Sequence, residues 1–124
     1  MRTKFLIVLT LIFSVFGFSR WMFAHHSDSE FNKSGVVTKQ VTITKFDWIN
    51  PHVIMHFEVE GDDEPWAAYG GPPNRMVREG WNSQTLKPGD QLTVTGYPSR
   101  YGRKIMWFLK VVRANGEVLR DRQD

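Results

Sequence analysis

Two runs of alternating side chains constrain this chain more than any other feature. In the first, Val37, Val41 and Ile43 alternate with Thr38, Gln40, Thr42 and Thr44; in the second, Val53, Met55, Phe57 and Val59 alternate with His52, Ile54, His56 and Glu58. Successive side chains of a strand point to opposite faces, so a period of two sends one set to a core and the other outward, where a helix would scatter both. Two long strands are therefore expected, joined through residues 47–51.

Turns and further strands follow along the chain. Residues 61–65 (GDDEP) form a turn, 66–69 a short third strand, and 70–73 (GGPP) a break. A short helix is expected over about 73–79, with proline at its start and Gly80 at its end. Residues 86–90 (LKPGD) turn into a fourth strand carrying Leu92 and Val94 inward, and a fifth runs over about 104–113. Asn115-Gly116 has the dipeptide of a tight hairpin and adds a short last strand at 117–119. The order β-β-β-α-β-β, with a long first strand, predicts a mostly β fold: a small five-stranded OB-like barrel with one short helix between strands 3 and 4. Another small open barrel or sandwich is the alternative.

At 124 residues the chain has room for one domain once a targeting segment is set aside. Five Trp, nine Phe and three Tyr give it the aromatic content of a folded globule. The formal net charge is +3, but Arg2, Lys4 and Arg20 precede residue 25 and no acid does, so bases and acids balance in the rest. A nucleic-acid partner is not expected of such a surface. The absence of cysteine excludes a disulfide, a thiol nucleophile and a thiolate metal site.

Residues 1–24 read as a signal peptide. A positive start, Met1 to Lys4, precedes 14 uncharged residues, 5–18 (FLIVLTLIFSVFGF), too short for a membrane span and right for a signal sequence. A retained membrane anchor is the alternative. Cleavage after Ala24 leaves a mature chain beginning His25-His26-Ser27, whereas the small residues Gly17 and Ser19 favour a cut after Ser19. The organisation expected is a signal peptide (1–24), an N-terminal arm (25–34), the OB-like domain (35–120) and a polar tail (121–124), located in the periplasm with no stable span after cleavage.

His25-His26-Ser27 behind the signal peptide, then Trp48-Ile49-Asn50-Pro51-His52, Arg78-Glu79-Gly80-Trp81 and Leu86-Lys87-Pro88-Gly89-Asp90, in that order, resemble a family of small exported bacterial proteins catalogued only as a domain of unknown function. The similarity spans essentially the whole mature chain. It implies location, size and fold, and brings no established activity. The family often carries an acidic residue at about the position held here by Tyr69, so any role of that acid does not transfer to this chain.

The four histidines form two pairs, His25-His26 and His52/His56. Four residues of strand separate His52 from His56 by about 13 Å, too far for one metal to take both. His52 stands at a strand start, where an N-terminal arm that folds back brings His25 or His26 beside it. If cleavage exposes His25, its α-amine and imidazole chelate together and His52 completes an all-nitrogen set: planar for copper(II), tetrahedral for zinc. The candidate metal ligands are thus His25, His26 and His52. The alternative is structural: a solvated terminus, a turn-capping His52 and a water-facing His56.

Trp66, Trp81 and Trp107 sit on or beside apolar runs and are expected in the core, while Tyr97 and Tyr101 are expected at the surface beside Arg100, Arg103 and Lys104. Those five residues form the candidate partner surface of a rival reading, a metal-free module docking on an envelope protein. Residues 70–73 have glycines but no phosphate-loop context, and no GxSxG or HExxH motif occurs, so no enzyme is expected.

Overall fold

The alternating runs form antiparallel strands β1 (Val37–Asp47) and β2 (Ile54–Val59). The structure is a computed structural model and describes residues 29–122; the expected signal peptide, His25 and His26 lie outside the described residues. Every element below belongs to the unit formed by residues 31–124.

Strand β1 serves two neighbours. Its first half pairs with β4 (Gln91–Pro98), Val37 opposite Gly96 and Val41 opposite Leu92. Its second half pairs with β2, Val41 opposite Val59 and Asp47 opposite Ile54, with a bulge between Ile43 and Lys45 that turns the strand from one partner to the other. Strand β3 (Trp66–Tyr69) lies antiparallel to β2, and β5 (Ile105–Arg113) antiparallel to β4. The parallel pairing of β3 with β5, from Ala67 opposite Ile105 to Tyr69 opposite Trp107, closes the sheet. The result is the expected five-stranded OB-like barrel, which leaves its five strands no open edge. A short β6 (Val118–Arg120) turns back onto β5.

The inward set of each strand meets in one core: Ile43, Met55, Phe57, Ala68, Val94, Met106, Phe108 and Val111, all essentially inaccessible. Trp81, 1% exposed, packs on Phe108 and donates its indole N–H to the Arg120 carbonyl at 2.8 Å, so a large aromatic is buried without an orphaned donor. At Gly96, where β4 bulges against β5, a Cβ would collide with the Trp107 backbone, which is why only glycine fits this approach.

The helix expected over 73–79 is shorter. Helix α1 (Pro73–Met76) makes one turn and tightens into a 3-10 turn over Val77–Glu79 before Gly80, whose φ of 90° ends it. A single turn without a side-chain N-cap gains little from α-helical bonding, and a 3-10 close is the compact way to bring Trp81 into the core. Trp107 also departs from its expected burial. It is half-buried, and other residues gather on it.

Candidate functional site

His52 lies just before β2, after the cis Asn50–Pro51 peptide, and its neighbours Val53 and Met55 point into the core. It stands just outside the strand, next to the fully buried Val53. Its Nδ1 stands 3.1 Å from the Gly70 carbonyl oxygen. A carbonyl only accepts, so Nδ1 carries the proton of this bond, and the neutral ring keeps its lone pair on Nε2. The ring meets Trp107 edge to face, centroids 5.2 Å apart. A backbone carbonyl on one ring nitrogen with the other left available is the arrangement that orients metal-binding histidines.

Phe31 reaches the same indole from the arm. It is 5% exposed, 5.8 Å from Trp107 and 6.3 Å from Tyr69 by ring centroids. Its backbone is pinned as well, by a bridge to Ser99, the Asn32 N–H on the Pro98 carbonyl at 2.8 Å, and the Arg100 guanidinium on the Phe31 carbonyl at 3.0 Å. Trp107 Nε1 is buried and has no hydrogen-bond partner among the described residues. Sequence reasoning missed Phe31, although one large apolar residue in the polar stretch 27–35 (SDSEFNKSG) is the signature of an anchor.

The other histidine belongs to a different network. His56 Nε2 is 2.9 Å from Asp47 Oδ2, and Lys45 Nζ approaches the same carboxylate at 2.9 Å. The Lys45 hydrogen bond, with a further contribution from His56, holds the Asp47 carboxyl below its usual value. His52 and His56 do not converge, as their spacing requires. Among the described residues no three His, Asp or Glu side chains cluster in a way that would hold a metal.

The candidate partner surface separates into parts. Tyr101 is 66% exposed, with the Arg103 guanidinium 5.7 Å from its ring centre. Tyr97 is half-buried in β4 opposite Trp107. Arg100 is engaged at Phe31. Lys104 binds Asp62 at 2.7 Å and lies 5.4 Å from the centre of the Trp66 ring, whose N–H also donates to Asp62 at 2.8 Å. The Lys104 and Trp66 hydrogen bonds bring the Asp62 carboxyl down to about 2.

Asp121, expected in a polar tail, is 2% exposed. One carboxylate oxygen accepts the Gly71 N–H at 3.1 Å and the other faces Arg75 Nη2 at 2.5 Å. Burial pushes this carboxyl up to about 6 against the opposing pull of Arg75 and the Gly71 N–H.

Residues 14–106, three quarters of the chain, match the family of unknown function DUF6152. The chain belongs to the DUF6152 family. The DUF6152 match includes Phe31, His52 and the Gly70-Gly71 pair and ends at Met106, short of Trp107 and Asp121. No curated protein matches the chain. No helix among the described residues is long and apolar enough to cross a membrane.

Proposed function

We propose that this DUF6152 protein is an exported, periplasmic OB-like binding domain that takes one copper or zinc ion through His52 and the N-terminal histidines His25 and His26. The observation that carries this reading is His52 itself: its Nδ1–H is committed to Gly70, so Nε2 is left as a pre-oriented ligand. The anchored arm supports it. Phe31 and His52 both pack on Trp107, so their rings lie at most about 11 Å apart. Four residues lie between His26 and Phe31, so the chain spans at most about 18 Å from one to the other.

Copper(II) suits the set best if export leaves His25 at the terminus. Amine, imidazole and the His52 Nε2 would then supply three nitrogens in a plane, while zinc would use the same donors tetrahedrally. The 14-residue apolar run behind Arg2 and Lys4 supports export, and His25-His26 directly after Ala24 supports that terminus. Metal content of the mature protein and of His52→Ala tests the reading: about one ion per chain is expected in the first and little in the second.

A second reading rests on Tyr101 and Arg103, exposed together on the β4–β5 loop. As the contact of a metal-free envelope module, they would make binding to a partner sensitive to Tyr101→Ala and indifferent to a chelator.

A further inference from the structure

One peptide unit stands between His52 and Asp121. Its carbonyl, from Gly70, accepts the His52 Nδ1–H at 3.1 Å; its N–H, from Gly71, donates to Asp121 Oδ2 at 3.1 Å. Carbonyl and N–H of a trans peptide point in opposite directions, so imidazole, peptide and carboxylate form one continuous chain. We infer that Asp121 is a positioning residue for His52, acting through the Gly70–Gly71 peptide.

The surroundings leave this peptide little freedom. The Gly70 N–H donates to the Val53 carbonyl at 2.8 Å and the Val53 N–H to the Gly71 carbonyl at 3.0 Å, so the residue next to His52 clamps the unit on both sides. A Cβ at Gly70 would collide with the buried Phe108 ring, and one at Gly71 with the Arg75 guanidinium. Arg75 in turn holds the second oxygen of Asp121. The two glycines of the GGPP break thus let a carboxylate and a histidine approach one peptide from opposite ends.

The chemistry follows from polarisation. A carboxylate accepting an amide N–H shifts electron density toward the carbonyl oxygen of the same peptide, and hydrogen bonds in such chains strengthen one another. The carbonyl becomes a better acceptor for Nδ1–H. The proton is then fixed on Nδ1, the lone pair on Nε2, and the ring becomes a stronger donor to a metal. The structure places the carboxylate one peptide further out than the direct carboxylate–histidine pair, and the peptide transmits its charge.

The inference rests on His52 being the ligand proposed above only where a metal is the probe. The experiment therefore uses the full mature chain with two readouts: nitrogen and proton NMR of His52 without metal, and copper(II) titration, each in the wild type and in Asp121→Asn. Asparagine keeps the shape and an acceptor for the Gly71 N–H while removing the charge. In the wild type, neutral His52 is expected to carry its proton on Nδ1. In Asp121→Asn that proton is expected to exchange with water severalfold faster, His56 to be unchanged, and copper to bind about tenfold more weakly. A wild-type His52 protonated on Nε2 overturns the inference even if the variant fails to fold. So does a folded variant with an unaltered His52 resonance. A wild type that ignores copper while its His52 resonance responds to Asp121→Asn defeats the metal reading and leaves the coupling standing.

Discussion

Phe31 and Trp107 meet edge to face, their centroids 5.8 Å apart and their planes at 69°, and this pair fastens the segment that begins at Phe31 to the barrel. Since Phe31 is buried, Phe31→Ala removes a large apolar side chain and leaves a void against Trp107 and Tyr69. A loss of about 3 kcal/mol in urea unfolding is expected. Faster hydrogen exchange at Asn32, whose N–H is held by Pro98, should accompany it. Wild-type stability in this variant would contradict the anchor.

At Gly96 the obstacle is backbone, which cannot swing aside as a side chain does. Gly96→Ala is therefore expected to cost about 2 kcal/mol by forcing β4 and β5 apart. Chemical denaturation measures it, and a neutral outcome would mean that the bulge yields easily.

The buried carboxyl gives stability a pH dependence of definite sign. Asp121 titrates at about 6 in the fold against an ordinary 3.8, so between these values the folded chain binds more protons than the unfolded one. Stability from this group is therefore greatest near pH 4, falls as pH rises toward 6, and levels off above it; the displacement is worth about 3 kcal/mol at most. Asp47 and Asp62, held low, lose their contributions only below that window. Melting curves from pH 4 to 7 should show the slope in the wild type and not in Asp121→Asn. Equal slopes would place its origin elsewhere.

Tyr101 projects from the loop with its ring mostly in solvent, so Tyr101→Ala is expected to change stability by less than about 0.5 kcal/mol and to leave metal content unaltered. Thermal melts and metal analysis on the same preparation check both. A metal content that falls with this substitution would move the site toward the β4–β5 loop.

The fold was legible wherever it depends on local pattern. Val53, Met55 and Phe57 announce a strand by period alone, and residues 66–69 lie between unmistakable turns. The five strands and the short helix together point to a small OB-like barrel. The pairing of Tyr69 with Trp107 that closes it joins distant segments, so its register was not readable. The candidate site divides in the same way. His52 stands out by residue type, but its partner Gly70 is 18 residues away. Asp121 sits among the charges of the C-terminal residues 120–124 (RDRQD) and reads as a solvated tail; its burial depends on Gly71 and Arg75, 50 and 46 residues distant. Lys104 likewise resembles a free surface charge until Asp62, 42 residues earlier, is brought to it. The Gly70-Gly71 pair carried the one local hint, since adjacent glycines mark a close approach.

The central claim is that the mature N-terminus and His52 share a metal ion. Intact mass and metal content, measured together on untagged protein recovered after export, test it most directly. The expected result is a chain beginning at His25 with about one copper or zinc ion bound, and loss of that ion in a folded His52→Ala variant. A chain beginning at Arg20, or a His25 chain that stays metal-free when copper(II) is added, would contradict it.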